Sequence, residues 1–247
     1  MRLVRGAPIG GAEAFAAGVE IALAPGFRTY WRMPGSAGVP PIFDWSASQN
    51  LGSVTPDWPA PRRLEEEGVS VIGYTGEGVV LPLRITAVDS KNPVELVLSL
   101  TYAACKTICV PEKGEARLTL LPGTPEGLYS ALIEAAGREV PKRVEPSKLG
   151  LDRPQAALLS LRSSDPALAL NLGLEASEHL LDIFVEGPEN WLFGPPKAIK
   201  DGGLGEIRLP LLDHPKWVDR TADIPFTLTI LTDMRSLETV IGAKSAS

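Results

Sequence analysis

The chain has 247 residues, 44% of them hydrophobic and 22% charged, which suits a packed globular protein and excludes a disordered polymer. Its formal net charge of -6 provides no basic stripe to neutralise phosphates, so nucleic acid is excluded as a partner. No apolar run approaches the ~18 residues of a membrane span, and none is predicted in this chain.

The first stretch, MRLVRGAPIGGAEAF, has two arginines with no apolar segment behind them, unlike an intact secretory signal. Two compartments stay open on this reading: the cytosol, or an exported chain whose signal has been removed. GVEIALAPG (18–26) alternates polar and apolar residues before a Pro-Gly turn. GVVLPLRITAV (78–88), NPVELVLSLTYAA (92–104) and ARLTLLPG (116–123) are short runs rich in Val, Leu and Ile, bounded by turn residues. Runs at this spacing predict a sandwich of antiparallel strands over residues 1–123.

At Thr124 the period changes. TPEGLYSALIEAAGREVP offers a Thr cap, Pro and Glu in a first turn, and Leu128, Leu132, Ala135 and Ala136 at helical spacing, with Pro141 as the stop. KRVEPSKLGLDRP then reads as a linker, so residues 124–150 are expected to join two domains. Strand patterns resume in AALLSL, ALALNLGLEA, HLLDIFVEG, EIRLPLL, PFTLTILTD and LETVIG, separated by the turn signals GPEN, KDGG and DHPK. They predict a second sandwich over 151–247 and an all-β protein.

Four other stretches suggest chemistry and also have plainer readings. GFRTYWRMPG groups Phe27, Tyr30 and Trp31 with Arg28 and Arg32, either as a docking surface or as a strand edge with core-facing rings. GYTGEG (73–78) resembles a phosphate loop only loosely, with no helix pattern after it, and reads as a turn. Asp213-His214 has no serine nucleophile to serve and also reads as a turn. Glu65, Glu66 and Glu67 are expected in a solvated loop.

The two cysteines, Cys105 and Cys109, are the only ones and stand in TYAACKTICVPEKGEA (101–116). In one straight strand, four steps of ~3.3 Å would separate their Cα atoms by about 13 Å, beyond the ~7 Å limit of a disulfide. A bond therefore requires the backbone to fold back. The sequence allows this, with a strand through Leu100 and Tyr102, a turn through Lys106 to Ile108, and a return through Val110 and Pro111.

Such a bond is a weak staple. A ring of five residues removes roughly 2 kcal/mol of chain entropy, against ~4.7 for a loop of a hundred residues. On spacing alone, buried core thiols, a structural disulfide and a redox pair all remain open. Lys106 and Lys113 would favour a thiolate, and Glu112 and Glu115 would oppose it. Only His179 and His214 could supply imidazole, both in the second half, so a four-ligand zinc site is hard to assemble. Two thiolates would suit a soft ion such as Cu(I).

YAACKTICVPEKGEA resembles the cysteine segment of the periplasmic N-terminal domain of DsbD-type protein-disulfide reductases, in particular the branch of the suppressor-of-copper-sensitivity protein ScsB. GVEIALAPGFRTYWRMPGSAGVPPIFDWSASQN (18–50), WPAPRR (58–63) and GYTGEGVVLPLRI (73–85) match the same family in the same order, and VEGPENWLFGPP echoes it in the second half. The resemblance implies immunoglobulin-like β-sandwiches carrying a reversible disulfide, in the periplasm. It implies a thioredoxin-like or membrane electron-donor domain as donor and periplasmic disulfide proteins as acceptors; whether this chain is a complete protein or the soluble part of a longer membrane-anchored one stays open. By carry-over, Cys109 and Cys105 are the catalytic pair, Cys109 forming mixed disulfides and Cys105 resolving them, with no organic cofactor and no metal. A cap segment near the cysteines is expected around Glu66 to Ile72. The alternative is a non-catalytic binding module for a partner protein or Cu(I).

Overall fold

The structure is a computed structural model that describes residues 1–6, 15–66, 69–123, 127–152, 157–161, 165–175, 177–188, 191–198, 207–216 and 223–245. The expected helix start at 124–126, the turn KDGG, and parts of GPEN and of the segment 66–72 lie outside the described residues. The chain divides into two compact units, Met1–Val140 and Pro141–Ser247.

The strands of the first unit are β1 Arg2–Arg5, β2 Phe15–Ala22, β3 Arg28–Gly35, β4 Ile42–Asp44, β5 Leu51–Pro56, β6 Arg62–Glu66, β7 Val69–Tyr74, β8 Gly78–Ala87, β9 Val94–Cys105 and β10 Cys109–Leu120. They form two sheets, ordered β1-β2-β8-β5 and β10-β9-β3-β7-β6, with β4 also paired to β9. This is an immunoglobulin-like all-β arrangement. The alternation that marks the strands in sequence also places the core. Val94, Leu96, Leu98 and Leu100 of β9 are fully buried, as are Val19 of β2 and Leu81 of β8. Each buried leucine contributes about 1.5–3 kcal/mol.

In β9 the buried positions change parity. Ala103 and Cys105 are buried too, but they are odd-numbered where the leucines are even, so they point to the opposite face of the sheet. There they form a small separate cluster with Tyr30 and Val71, flanked by Leu64. β3 is therefore buried on both faces, Tyr30 on the cysteine side and its neighbour Trp31 on the other. This resolves GFRTYWRMPG as core-facing. Arg32 lies over the Trp31 ring at 4.6 Å. Gly73 lets β7 come close beside Tyr30, because a Cβ there would stand 2.1 Å from the Thr29 carbonyl oxygen.

Two expectations are corrected here. Glu65 and Glu66 belong to strand β6, not to a loop. β6 is the last strand on its side of the sheet, where charged residues are tolerated and discourage further pairing. The helix, α1, runs Ser130–Glu139, and Tyr129 caps it without a side-chain hydrogen bond. It belongs to the first unit, with Ile133 buried.

The second unit contains β11 Lys142–Arg143, β12 Ala157–Ser160, β13 Ala167–Leu170, β14 Leu180–Glu186, β15 Leu192–Phe193, β16 Lys197–Ala198, β17 Ile207–Asp213, β18 Ile224–Thr232 and β19 Ser236–Ser245. Its strands join in one hydrogen-bonded path, β14-β18-β19-β12-β13-β17-β15, because β12 pairs with β19 on one side and β13 on the other. Leu168, Leu170, Ile183, Leu209, Phe226, Leu228 and Ile230 fill its core. The stretch read as a linker is built into this unit: β11 pairs with β19, a 3-10 turn spans Pro146–Leu149, and Leu149 and Leu151 are buried in the core.

Candidate functional site

β9 and β10 form one long antiparallel hairpin with unbroken register from Leu120↔Val94 to Cys109↔Cys105. The cysteines face each other at its tip, their Cα atoms 4.0 Å apart, and are joined by a disulfide. Three residues, Lys106 to Ile108, close the turn, and the Lys106 N–H donates to the Ile108 carbonyl at 3.3 Å. The chain thus folds back between the cysteines as the turn and the flanking strands predict.

The two sulfur-bearing residues have unlike surroundings. Cys105 is 0% exposed, packed with Tyr30, Val71 and Ala103, whereas Cys109 is exposed. A reagent arriving from solvent meets Cys109. Ile108 and Val110 beside it are exposed at 75% and 45%.

The Tyr30 hydroxyl lies 3.2 Å from Cys109 Sγ and 3.3 Å from Cys105 Sγ. Neither sulfur of a disulfide carries a proton, so the hydroxyl donates and is shared between them. Tyr30 is placed by β3, which pairs with β9 at Arg28↔Cys105 and Thr29↔Ala104. The Thr29 hydroxyl reinforces this by donating to the Ala103 carbonyl at 2.9 Å. On reduction the same phenol is in place to donate to a thiolate, which favours the charged form. Sequence reading singled out Tyr30 as an aromatic but did not link it to the sulfurs, since the contact spans 75 positions and no local pattern announces it.

The remaining candidates fall elsewhere. The side chain of Lys106 reaches over Gly26. Burial, with the Glu112 carboxylate across the ladder, pushes the Tyr102 hydroxyl up, so it is a protonated phenol at neutral pH. Of the expected cap segment, residues 67 and 68 are outside the described set, while Val71 is fully buried in the cluster holding Cys105. GYTGEG turns the chain from β7 into β8, with positive φ at Gly76 and Gly78. The backbone N–H of His214 donates to the Asp213 carboxylate at 2.8 Å, as in a turn. His179 pairs with Asp233 at 3.1 Å. Among the described residues no group of three or more His, Cys, Asp or Glu is arranged to hold a metal. No helix among them is long and apolar enough to cross a membrane.

Residues 9–121 match the family "Thiol:disulfide interchange protein DsbD, N-terminal". This segment, a little under half of the chain, is therefore similar to the N-terminal domain of DsbD-type proteins. Thiol-disulfide interchange is the activity of that family, and the disulfide at the hairpin tip lies within the matched residues. The crystal structure of the N-terminal periplasmic domain of ScsB from Proteus mirabilis superimposes with a TM-score of 0.69 at 22% identity, covering 97% of this chain and 92% of that one. This likeness extends the shared fold beyond the matched segment. Tandem immunoglobulin domains of titin (10% identity, 98% and 94% coverage, TM-score 0.18) and the collagen adhesin of S. aureus (6%, 93% and 87%, 0.13) superimpose too poorly to bear on the fold. No curated protein matches the sequence.

Proposed function

We propose that this chain is of the DsbD type and relays electrons in the periplasm, passing them from a thioredoxin-like or membrane-embedded donor domain to periplasmic disulfide proteins through Cys105 and Cys109. The observation that carries the reading is the pairing of an exposed cysteine with a buried one at a hairpin tip. Because Cys105 is closed to solvent, exchange begins at Cys109.

In the first half-reaction a donor thiolate attacks Cys109 Sγ. The Cys105–Cys109 bond breaks, a mixed disulfide forms, and Cys105 leaves as a thiolate that takes up a proton. The donor's second thiolate attacks its own partner sulfur in the mixed disulfide, closing the donor disulfide and releasing Cys109, which is also protonated. Two electrons and two protons have then moved to this chain. In the second half-reaction the Cys109 thiolate attacks an acceptor disulfide. Cys105 then attacks Cys109 Sγ, restoring the original bond and releasing the acceptor as a dithiol. Tyr30 supports both halves by donating to whichever sulfur is ionised.

The test is a redox titration with paired variants. A reversible two-electron couple in the range of exchange proteins, roughly -120 to -270 mV, is expected. Cys109→Ser abolishes transfer, and Cys105→Ser accumulates mixed disulfides that non-reducing electrophoresis detects. Equal transfer by the parent and both variants would sink the relay. Absence of a couple, with stoichiometric Cu(I) binding by the reduced protein, would favour the non-catalytic module.

A further inference from the structure

We infer that the outer edge of β10, from Cys109 to Lys113, is a docking edge for the extended cysteine-bearing segment of the redox partner. The segment adds as a short strand hydrogen-bonded to the backbone of Cys109 itself. This rests on the relay reading above and says how the partner sulfur is brought to Cys109.

The direction in which the backbone groups point decides the matter. On β9 the odd-numbered residues bond away from β10. The N–H and C=O of Glu95 pair with Gln49, those of Val97 with the Ser48 hydroxyl, and the C=O of Ala103 accepts from Thr29. Even-numbered residues of β9 therefore face β10. The unbroken register pairs even with even, Ala104↔Val110 and Tyr102↔Glu112. Val110 and Glu112 thus use their backbone groups in the ladder, while Cys109, Pro111 and Lys113 turn theirs outward. The 4.0 Å Cα separation of the cysteines agrees, being that of a non-hydrogen-bonded pair. Among the described residues no strand pairs with this outer edge, and residues 109–113 are all exposed.

The occupant follows from position and charge. Exchange requires a partner cysteine at Cys109 Sγ, and the outward N–H and C=O nearest to that point belong to the same residue. The neighbouring charges, Lys106, Glu112 and Lys113, are mixed in sign, so the edge offers no field to select a charged ligand. What it offers any partner is main chain, flanked by exposed Ile108 and Val110. Pro111 has no N–H and leaves a gap after the first pair of bonds. This keeps the added strand short, suits release after each exchange, and protects an open edge from permanent pairing.

The experiment uses the full chain with Cys105→Ser, reduced, and a short extended peptide whose one cysteine is a mixed disulfide with thionitrobenzoate. The Cys109 thiolate attacks the peptide sulfur, the peptide–thionitrobenzoate bond breaks, the peptide–Cys109 disulfide forms, and coloured thionitrobenzoate leaves. Amide hydrogen exchange in this adduct is compared by NMR with the same variant carrying a methylthio group on Cys109. The amides of Cys109 and Lys113 should slow about tenfold in the peptide adduct, with those of Val110 and Glu112 unchanged. A peptide N-methylated along its backbone should form the adduct without the slowing. Normal thionitrobenzoate release with no slowing at Cys109 and Lys113, or equal slowing with the methylated peptide, overturns the docking edge and leaves the relay standing. Failure to release thionitrobenzoate overturns the relay, and the docking edge with it.

Discussion

The β9–β10 hairpin of the first unit and the β18–β19 hairpin of the second both reverse within a few residues, and they are closed by opposite means. At the second, the Thr232 hydroxyl accepts from the N–H groups of Met234 and Arg235 and donates to Glu178 at 2.8 Å. Arg235 grips the buried Glu178 carboxylate through two hydrogen bonds of 2.7 and 2.8 Å, and Asp233 and His179 exchange backbone and side-chain bonds. At the first, one covalent bond spans the tip, assisted by a single long backbone hydrogen bond and by Tyr30. A polar network closes one turn without a covalent bond, whereas the other depends on a disulfide that thiol chemistry can open.

The largest effect should come from breaking the polar turn. Glu178→Gln should cost about 2 kcal/mol, the worth of hydrogen bonds to a charged group, read as a lower urea midpoint. The pH dependence has a definite sign. The hydrogen bonds from Arg235 hold the Glu178 carboxyl down to about 2 from its ordinary 4.5. A depressed carboxylate contributes its full stability above pH 4.5, and the contribution drains away as pH falls through the range down to about 2. The parent should therefore lose stability over that interval, and the Gln variant should lose less. Parallel acid curves would refute the assignment.

Reduction should act on the other hairpin alone. With the disulfide opened by dithiothreitol, the amide of Lys106, the donor of the turn's hydrogen bond, should exchange about tenfold faster, while Met234 and Arg235 stay as they were. Equal change at both tips, or at neither, would mean that the disulfide does not hold its turn. The smallest expected effect is that of Tyr30→Phe, which keeps the ring and deletes the donor. The Cys109 thiol of the reduced protein should titrate higher by less than about one unit, and exchange at neutral pH should slow a few-fold. An unmoved thiol titration, followed by thiolate absorbance, would reduce Tyr30 to a packing residue.

Much of this was legible in the sequence, for reasons that differ by segment. GVVLPLRITAV and NPVELVLSLTYAA announce their strands because one face of each is buried and alternation records it. The tip at Lys106 to Ile108 follows from the arithmetic of joining two cysteines three residues apart. RRLEEEGVS hid a hairpin, because edge strands carry charges that resemble those of a loop. TYWRMPG was ambiguous because a strand covered on both faces does not alternate. The satellite cluster was out of reach: Tyr30, Leu64, Val71 and Cys105 meet only through the pairing of β3 with β7 and β9, which no local window contains.

The change of parity along β9 has a consequence for where the exchanging sulfurs lie. Leu96, Leu98 and Leu100 face one way and Cys105 the other, so the sheet itself is a partition between the working sulfurs and the main apolar interior. The side chains packed with Cys105 are Tyr30, Val71 and Ala103, a cluster distinct from the leucines. On the proposed relay, this separates the exchanging sulfurs from the leucines that hold the first unit together.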